Sequence, residues 1–253
     1  MPSIATSSFV HTVYSDTPAK IILSIPHDGL WAHNFAGHFT PRPNGVMFAD
    51  RHVTPIANDI LLFCEEQGLP VDLVRLMMPR TYLDANRPPP GTESKYERFT
   101  DTAFFDERVR PVHEQYFAEL GQAIERGIQE YGEENILVLD LHGFARNRRP
   151  MQTTDFDIVL GTYHRQTIPY GQPDKDLGGH LKDSSYCTFV PAEVGTLPNG
   201  DPFIGGYICE YLARTYTVNV IQIEIEKRFR VMGSQAEGVL LAQTFGQWLV
   251  RNY

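Results

Sequence analysis

The amino-acid sequence predicts an α/β protein, a single domain over residues 1–253 with a mixed, mostly parallel central sheet and helices on both faces. Two observations carry this expectation. The apolar runs Lys20 to Pro26 and Asn135 to Gly143 are short, continuous and rich in β-branched residues, as suits strands buried on both faces of a parallel sheet. Between them Val109, Val112, Tyr116, Leu120, Ile124 and Ile128 recur at helical spacing, so the order is strand, helix, strand.

The first strand, Lys20 to Pro26, stops at a proline that cannot donate to a ladder and runs into His27-Asp28-Gly29. Residues 31–49 are rich in Pro, Gly, Asn and Phe and form an irregular excursion. Asp50-Arg51-His52 then opens an amphipathic helix through Ile56, Ile60, Leu61 and Cys64 that ends at Gly68. At this position Asp50 serves equally as the helix N-cap or as a metal ligand. A strand over Leu69 to Met77 follows, and beyond it comes Arg80-Thr81-Tyr82-Leu83-Asp84-Ala85-Asn86-Arg87 and three prolines. The prolines stiffen the loop, and a stiff loop bearing an arginine suits bidentate carboxylate recognition. The plainer alternative is a surface arginine paired with Asp84. Gly91 to Thr102 is polar and loop-like. The long helix spans 106–131, and His113 within it reads as structural.

The strand Asn135 to Gly143 ends in Asp140-Leu141-His142-Gly143, and alternation puts Asp140 and His142 on one side. Ligands of open α/β sheets bind beyond the carboxyl ends of the strands. An imidazole beside a carboxylate there is either a metal ligand or general base, or a hydrogen-bonded structural histidine. Arg146, Arg148 and Arg149 form either a solvated charge run or an anion funnel. Further elements are a strand at 156–162, a helix at 173–182, a short strand at 188–190, a glycine-bearing tight loop at 199–208 and a closing helix from Ser234 to Tyr253. The strand Val218 to Glu226 places Gln222, Glu224 and Glu226 on one face, a wet edge or, in a central strand, glutamates that need a cation.

A net charge of −9 argues against nucleic acid or an anionic membrane as partner, and leaves room for a small carboxylate-bearing substrate met by a local arginine cluster. The three cysteines lack C-x-x-C spacing, which implies a reducing, cytoplasmic setting without disulfides. No run reaches transmembrane length. No G-x-S-x-G, P-loop or G-x-G-x-x-G is present, which removes the commonest serine-hydrolase and nucleotide readings.

Six ordered motifs together carry a family resemblance. They are Pro26-His27-Asp28-Gly29, Asp50-Arg51-His52-Val53, Arg80-x-Tyr82-x-Asp84-x-Asn86-Arg87-Pro88, Asp140-x-His142, Gly205-Gly206-Tyr207-Ile208 and Gln222-Ile223-Glu224. The chain resembles the N-formylglutamate amidohydrolases, zinc-dependent enzymes related in fold to the metallocarboxypeptidases. The resemblance implies one zinc ion on His27, Asp50 and His142, with Asp28 or His52 as the nearest substitute for Asp50. It implies Glu224 as general base, with Glu226 as rival, set aside because Glu226 adjoins Lys227-Arg228 at what reads as a solvated end. It implies Arg87 as a second catalytic residue that, with Asn86 and Arg80, holds the substrate carboxylate or polarises the scissile carbonyl, and Gly206 as a further substrate contact, with Arg146 in support.

The chain also departs from the family pattern. Gly143 replaces a serine, Asp201-Pro202-Phe203-Ile204 lacks the arginine and lysine expected before Gly-Gly-Tyr, and Cys209-Glu210 replaces Thr-Arg. The lost basic residues are those suited to a dicarboxylate such as formylglutamate, and Arg146, Arg148 or Arg149 are the available substitutes. The expected activity is hydrolysis of an N-acyl amino acid amide. The alternatives are a deacylase or carboxypeptidase on another substrate, or a scaffold that binds without chemistry.

Overall fold

The computed structural model describes residues 9–145, 156–190, 203–231 and 235–253. Among them, seven strands form one sheet: β1 (Val10–Val13), β2 (Ile21–Ile25), β3 (Val71–Leu76), β4 (Leu137–Phe144), β5 (Ile158–Gly161), β6 (Thr188–Phe189) and β7 (Asn219–Glu226). Their order is β1-β3-β2-β4-β7-β5-β6. The central strands β3, β2, β4 and β7 run parallel, while β1 and β5 pair antiparallel to β3 and β7. The helices are α1 (Val53–Glu66), α2 (Arg110–Tyr131), α3 (Pro173–Asp183), α4 (Tyr207–Tyr216) and α5 (Gln235–Asn252).

Alternate residues of each central strand enter different cores. Ile21, Leu23 and Ile25 pack with Ile56 and Ile60 of α1 and Phe245 of α5. Ile22, Val138 and Val220 pack with Tyr116 and Leu120 of α2 and Leu212 of α4. Burial on both faces is why β2 and the first half of β4 read as largely apolar runs. Each fully buried aliphatic side chain contributes about 1.5–3 kcal/mol. The expected three-layer α/β architecture with a mixed, mostly parallel sheet is therefore observed.

Two elements had no expectation behind them. β1 is a four-residue edge strand whose His11 and Thr12 are not buried, too short to show a pattern. α4 begins at Tyr207, inside the stretch expected to be a loop, and hides Ile208, Cys209, Leu212 and Ala213 against the sheet. Its aromatic and β-branched residues are mediocre helix formers, so packing overrides propensity.

The cap of α1 is a correction. Asp50 does not cap it. The carboxylate of Asp28 accepts from the backbone N–H groups of His52 (3.3 Å) and Thr54 (2.8 Å), the latter within the first turn. His52 takes a left-handed conformation at φ 67° to turn the chain into the helix. Asp28 is thereby engaged, and Asp50 is released for another role.

Candidate metal centre and catalytic cleft

The carboxyl ends of β4 and β7, with the loops that follow β2 and β3, border one cleft of about 1080 Å³. His27 lies just past β2, and the backbone N–H of Asp50 donates to the His27 carbonyl at 2.8 Å, bringing the two side chains together. His142 sits near the end of β4, with Glu224 of β7 directly beside it in register.

His27, Asp50 and His142 converge. Nδ1 of His27 is 3.2 Å from Oδ2 of Asp50 and 3.1 Å from Nδ1 of His142, and that second Nδ1 is 3.5 Å from the same Asp50 oxygen. The other ring nitrogens face buried carboxylates: His27 Nε2 stands 2.7 Å from Asp84 and His142 Nε2 2.7 Å from Asp140. Those carboxylates place the Nε2 protons, so in the neutral rings both Nδ1 atoms present lone pairs. Two imidazole lone pairs and a carboxylate oxygen then face one another, an arrangement that calls for a cation. Donors bound tetrahedrally at about 2.0–2.1 Å lie roughly 3.3 Å apart, close to the separations found here. The residues present fit a zinc-type site.

The electrostatics agree. Burial opposes the charge of His142, but Asp140 and Asp50 push its pKa up to about 10. Burial likewise opposes the charge of Asp50, while Arg80 and the two histidines hold it well below the usual carboxylate range. The pocket thus favours positive charge at its centre, whether proton or metal.

Supports radiate from this centre. Asp140 also accepts from Ser24 Oγ at 2.6 Å, which contacts the Tyr116 hydroxyl of α2 at 2.7 Å. Arg80 donates to Asp84 (2.9 Å) and Asp50 (3.4 Å), and the buried Arg42 joins Asp84 to Asp101. Arg87 donates through Nε to Asp101 at 2.8 Å. The pairing of a loop arginine with Asp84 therefore exists, but it belongs to Arg80 and is buried.

A family model described as N-formylglutamate amidohydrolase matches residues 19–230. The chain belongs to that family. Among solved structures, it is similar to the N-formylglutamate amidohydrolase from Ralstonia eutropha, with 16% identity, 97% of this chain and 99% of that chain covered, and a TM-score of 0.66. A gene product from Agrobacterium tumefaciens gives 15% identity over 96% of this chain and 95% of that one, with a TM-score of 0.59. A metallo-carboxypeptidase from Burkholderia cenocepacia gives 11% identity, 96% and 60% coverage, and a TM-score of 0.45. No curated protein sequence matches the chain. Family membership supports a hydrolase acting on amides.

In this member of the N-formylglutamate amidohydrolase family, Glu224, Arg80, Asn86 and Arg87 all line the cleft with Asp50 and His142. Asn86 is engaged on both sides of its amide, donating to Gln222 (3.2 Å) and accepting from the Ile208 N–H (3.1 Å). Gly206 packs against it, since a Cβ there would come within 2.1 Å of the Asn86 amide. Gln222 in turn donates to Glu224 at 3.0 Å, which fixes the carboxylate. Arg146, Arg148 and Arg149 lie outside the described residues. Glu226 is not at a solvated end: it is buried, and it accepts from the Arg228 N–H at 2.7 Å as cap of the following turn.

Sequence reasoning missed three contributors. Asp84, legible only as the partner of a nearby arginine, also backs His27 from 57 residues away, and Arg42 is a buried support whose carboxylate partners, Asp84 and Asp101, lie 42 and 59 residues away. Arg230 lines the cleft and has no motif around it. Glu210, where a family arginine was expected, is buried and accepts from Ser94, the Lys95 N–H and Arg214, tying the loop that carries Glu97 to α4. Among the described residues, no helix is long and apolar enough to cross a membrane.

Proposed function

We propose that this cleft holds one zinc ion on His27 Nδ1, Asp50 Oδ2 and His142 Nδ1 and hydrolyses the amide of an N-acyl amino acid, an N-formylglutamate-type substrate being the first choice. The convergence of those three donors beside Glu224 carries the reading. Zinc bound there would supply a Lewis acid that favours deprotonation of water near neutral pH and polarises a carbonyl. The protein supplies the rest. Glu224, held by Gln222 beside His142, takes the proton of the attacking water and returns it to the leaving nitrogen as the C–N bond breaks, giving a carboxylic acid and an amine.

Arg80 serves the ligand set by holding Asp50 and Asp84. Arg87, steadied by Asp101, is placed to meet the substrate's carboxylate or scissile carbonyl. Asn86 forms part of the wall on which the substrate rests, and Gly206, which does not itself line the cleft, backs Asn86. Five cationic side chains against three carboxylates line the cleft among the described residues, so the local charge opposes the chain's net −9 and suits an anionic substrate. A cytoplasmic small-molecule enzyme is consistent with these features.

The test combines metal analysis with a hydrolysis panel of N-formyl, N-acetyl and N-succinyl amino acids. Glu224→Gln should retain its zinc and lose about 100- to 10,000-fold in kcat. Normal turnover in Glu224→Gln but not in Glu226→Gln would reverse their roles. Turnover of non-formyl amides alone would support the deacylase or carboxypeptidase alternative, which the buried Glu210 in place of an expected arginine favours. Zinc binding with no hydrolysis across the panel would leave a ligand-binding scaffold.

A further inference from the structure

Arg230 follows β7 and the short turn Lys227–Phe229, and lines the cleft together with Lys227 and Val231. Only 8% of the residue is exposed. Its Nε donates to the carbonyl of Ile225 (3.0 Å), Nη2 to that of Phe144 (2.9 Å) and Nη1 to that of Arg51. These acceptors belong to the ends of β4 and β7 and to the loop before α1. A guanidinium offers five N–H groups, so three are taken and two remain for a further partner, on a residue that lines the cleft.

All three partners are neutral. Among the described residues no carboxylate lies within ion-pair distance, 4.0 Å, of Arg230. Burial pulls its pKa down, and the more distant carboxylates of Asp50 and Glu224 only partly offset this. A cation this enclosed is costly unless an anion completes its shell. The other buried arginines of the site have one: Arg42 and Arg80 each reach Asp84.

Gly143 explains how the arginine fits. A Cβ at this position would stand 2.2 Å from Cζ of Arg230 and 2.5 Å from Nε. The guanidinium occupies the space beside the glycine, and any side chain at 143 would displace it. The departure at Gly143 and the arginine at 230 are therefore one feature, which a sequence 87 residues apart at these two positions hides.

We propose that Arg230 is a substrate-binding residue that anchors a carboxylate of the substrate, and that Gly143 is the space that admits it. The proposal deepens the amidohydrolase reading and rests on it for the identity of the site. It supplies a cation for the carboxylate whose expected partners, the basic residues before Gly205, are missing from the sequence. Two N–H groups in one plane suit a carboxylate fork, which lysine at the same position would match only as a point charge.

Binding can be separated from turnover. Glutarate and its neutral counterpart glutaramide are titrated calorimetrically into zinc-loaded and metal-free wild type, Arg230→Met and Arg230→Lys. Loss of the charge-assisted contact should weaken glutarate about tenfold to a hundredfold in Arg230→Met in both forms, with Arg230→Lys intermediate and glutaramide within roughly twofold throughout. Equal weakening of both ligands would mean that Arg230 only staples strand ends, and would overturn the proposal. So would unchanged glutarate binding, or a wild type that fails to bind glutarate. If Arg230→Met does not fold, Gly143→Ala keeps the arginine and displaces its guanidinium. It should weaken glutarate selectively, and undiminished binding there would count against the proposal. Because glutarate is not hydrolysed, failure of the amidase reading would appear separately, as absent turnover across the acyl amino acid panel.

Discussion

His113 in α2 and His142 in β4 are both buried, yet their surroundings drive them in opposite directions. Around His113 stand Phe104 and Phe117, with ring centroids at 5.7 and 4.8 Å, and its Nε2 has no hydrogen-bond partner among the described residues. Burial, helped by Arg110, pushes its pKa down to about 4. His142 meets the same burial but faces Asp140 and Asp50, and its pKa rises to about 10. One ring is kept neutral as packing material. The other sits where positive charge is wanted, which is the condition for a metal ligand. Burial alone does not make a histidine functional; the carboxylates around it do.

The largest effects should fall on the carboxylate-rich histidine. His142→Ala is expected to lose bound zinc, measured as metal per protein after dialysis, whereas His113→Ala should retain it. Full retention in His142→Ala would erase the distinction. Asp140→Asn leaves the ligand in place but weakens its brace, and should lower zinc affinity about 10- to 100-fold in a chelator competition. An unchanged affinity would show that the 2.7 Å contact does not tune the metal.

The apolar histidine should reveal itself in acid. Its folded pKa lies below the unfolded value of about 6.5, so between the two the unfolded chain binds the proton that the folded chain refuses. Stability from this group is therefore present above pH ~6.5 and lost as pH falls towards 4, by on the order of 3 kcal/mol. His113→Phe should flatten that part of the stability curve in urea unfolding at a series of pH values. A slope identical to wild type would show that His113 does not resist protonation.

The smallest effect separates the two neighbouring aspartates. Asp28→Ala removes the side-chain acceptor at the start of α1 and should cost about 1 kcal/mol of stability, with zinc content intact. Zinc loss in Asp28→Ala would place Asp28, not Asp50, among the ligands.

Much of the fold was legible because the central strands bury both faces, and that requirement writes itself into Ile21 to Ile25 and Leu137 to Leu141 as largely apolar runs, while Val220 to Ile225 was legible as an alternating strand. The 3.6-residue rhythm of α2 was equally plain. β1 was not, because an edge strand of four residues is held by the ladder to β3. α4 was not, because its stability comes from the sheet it covers. At the site, His27, His142 and Glu224 were legible as polar groups at or near strand ends and as members of ordered motifs.

The sequence by itself determined the order of the central strands and of the helices around them except α4, the end of the sheet where the candidate site lies and the family to which the chain belongs. Only the tertiary structure decided how the acids divide their work: Asp50 against the facing nitrogens of His27 and His142, Asp28 on the helix, Asp84 and Asp140 behind the histidines, Glu226 on a turn. It alone also placed Arg230 on Gly143. The physical reason is that a side chain's charge state and role depend on which groups share its low-dielectric surroundings, and these groups come from distant parts of the chain. His27 and Asp84 are 57 residues apart in sequence and 2.7 Å apart in space.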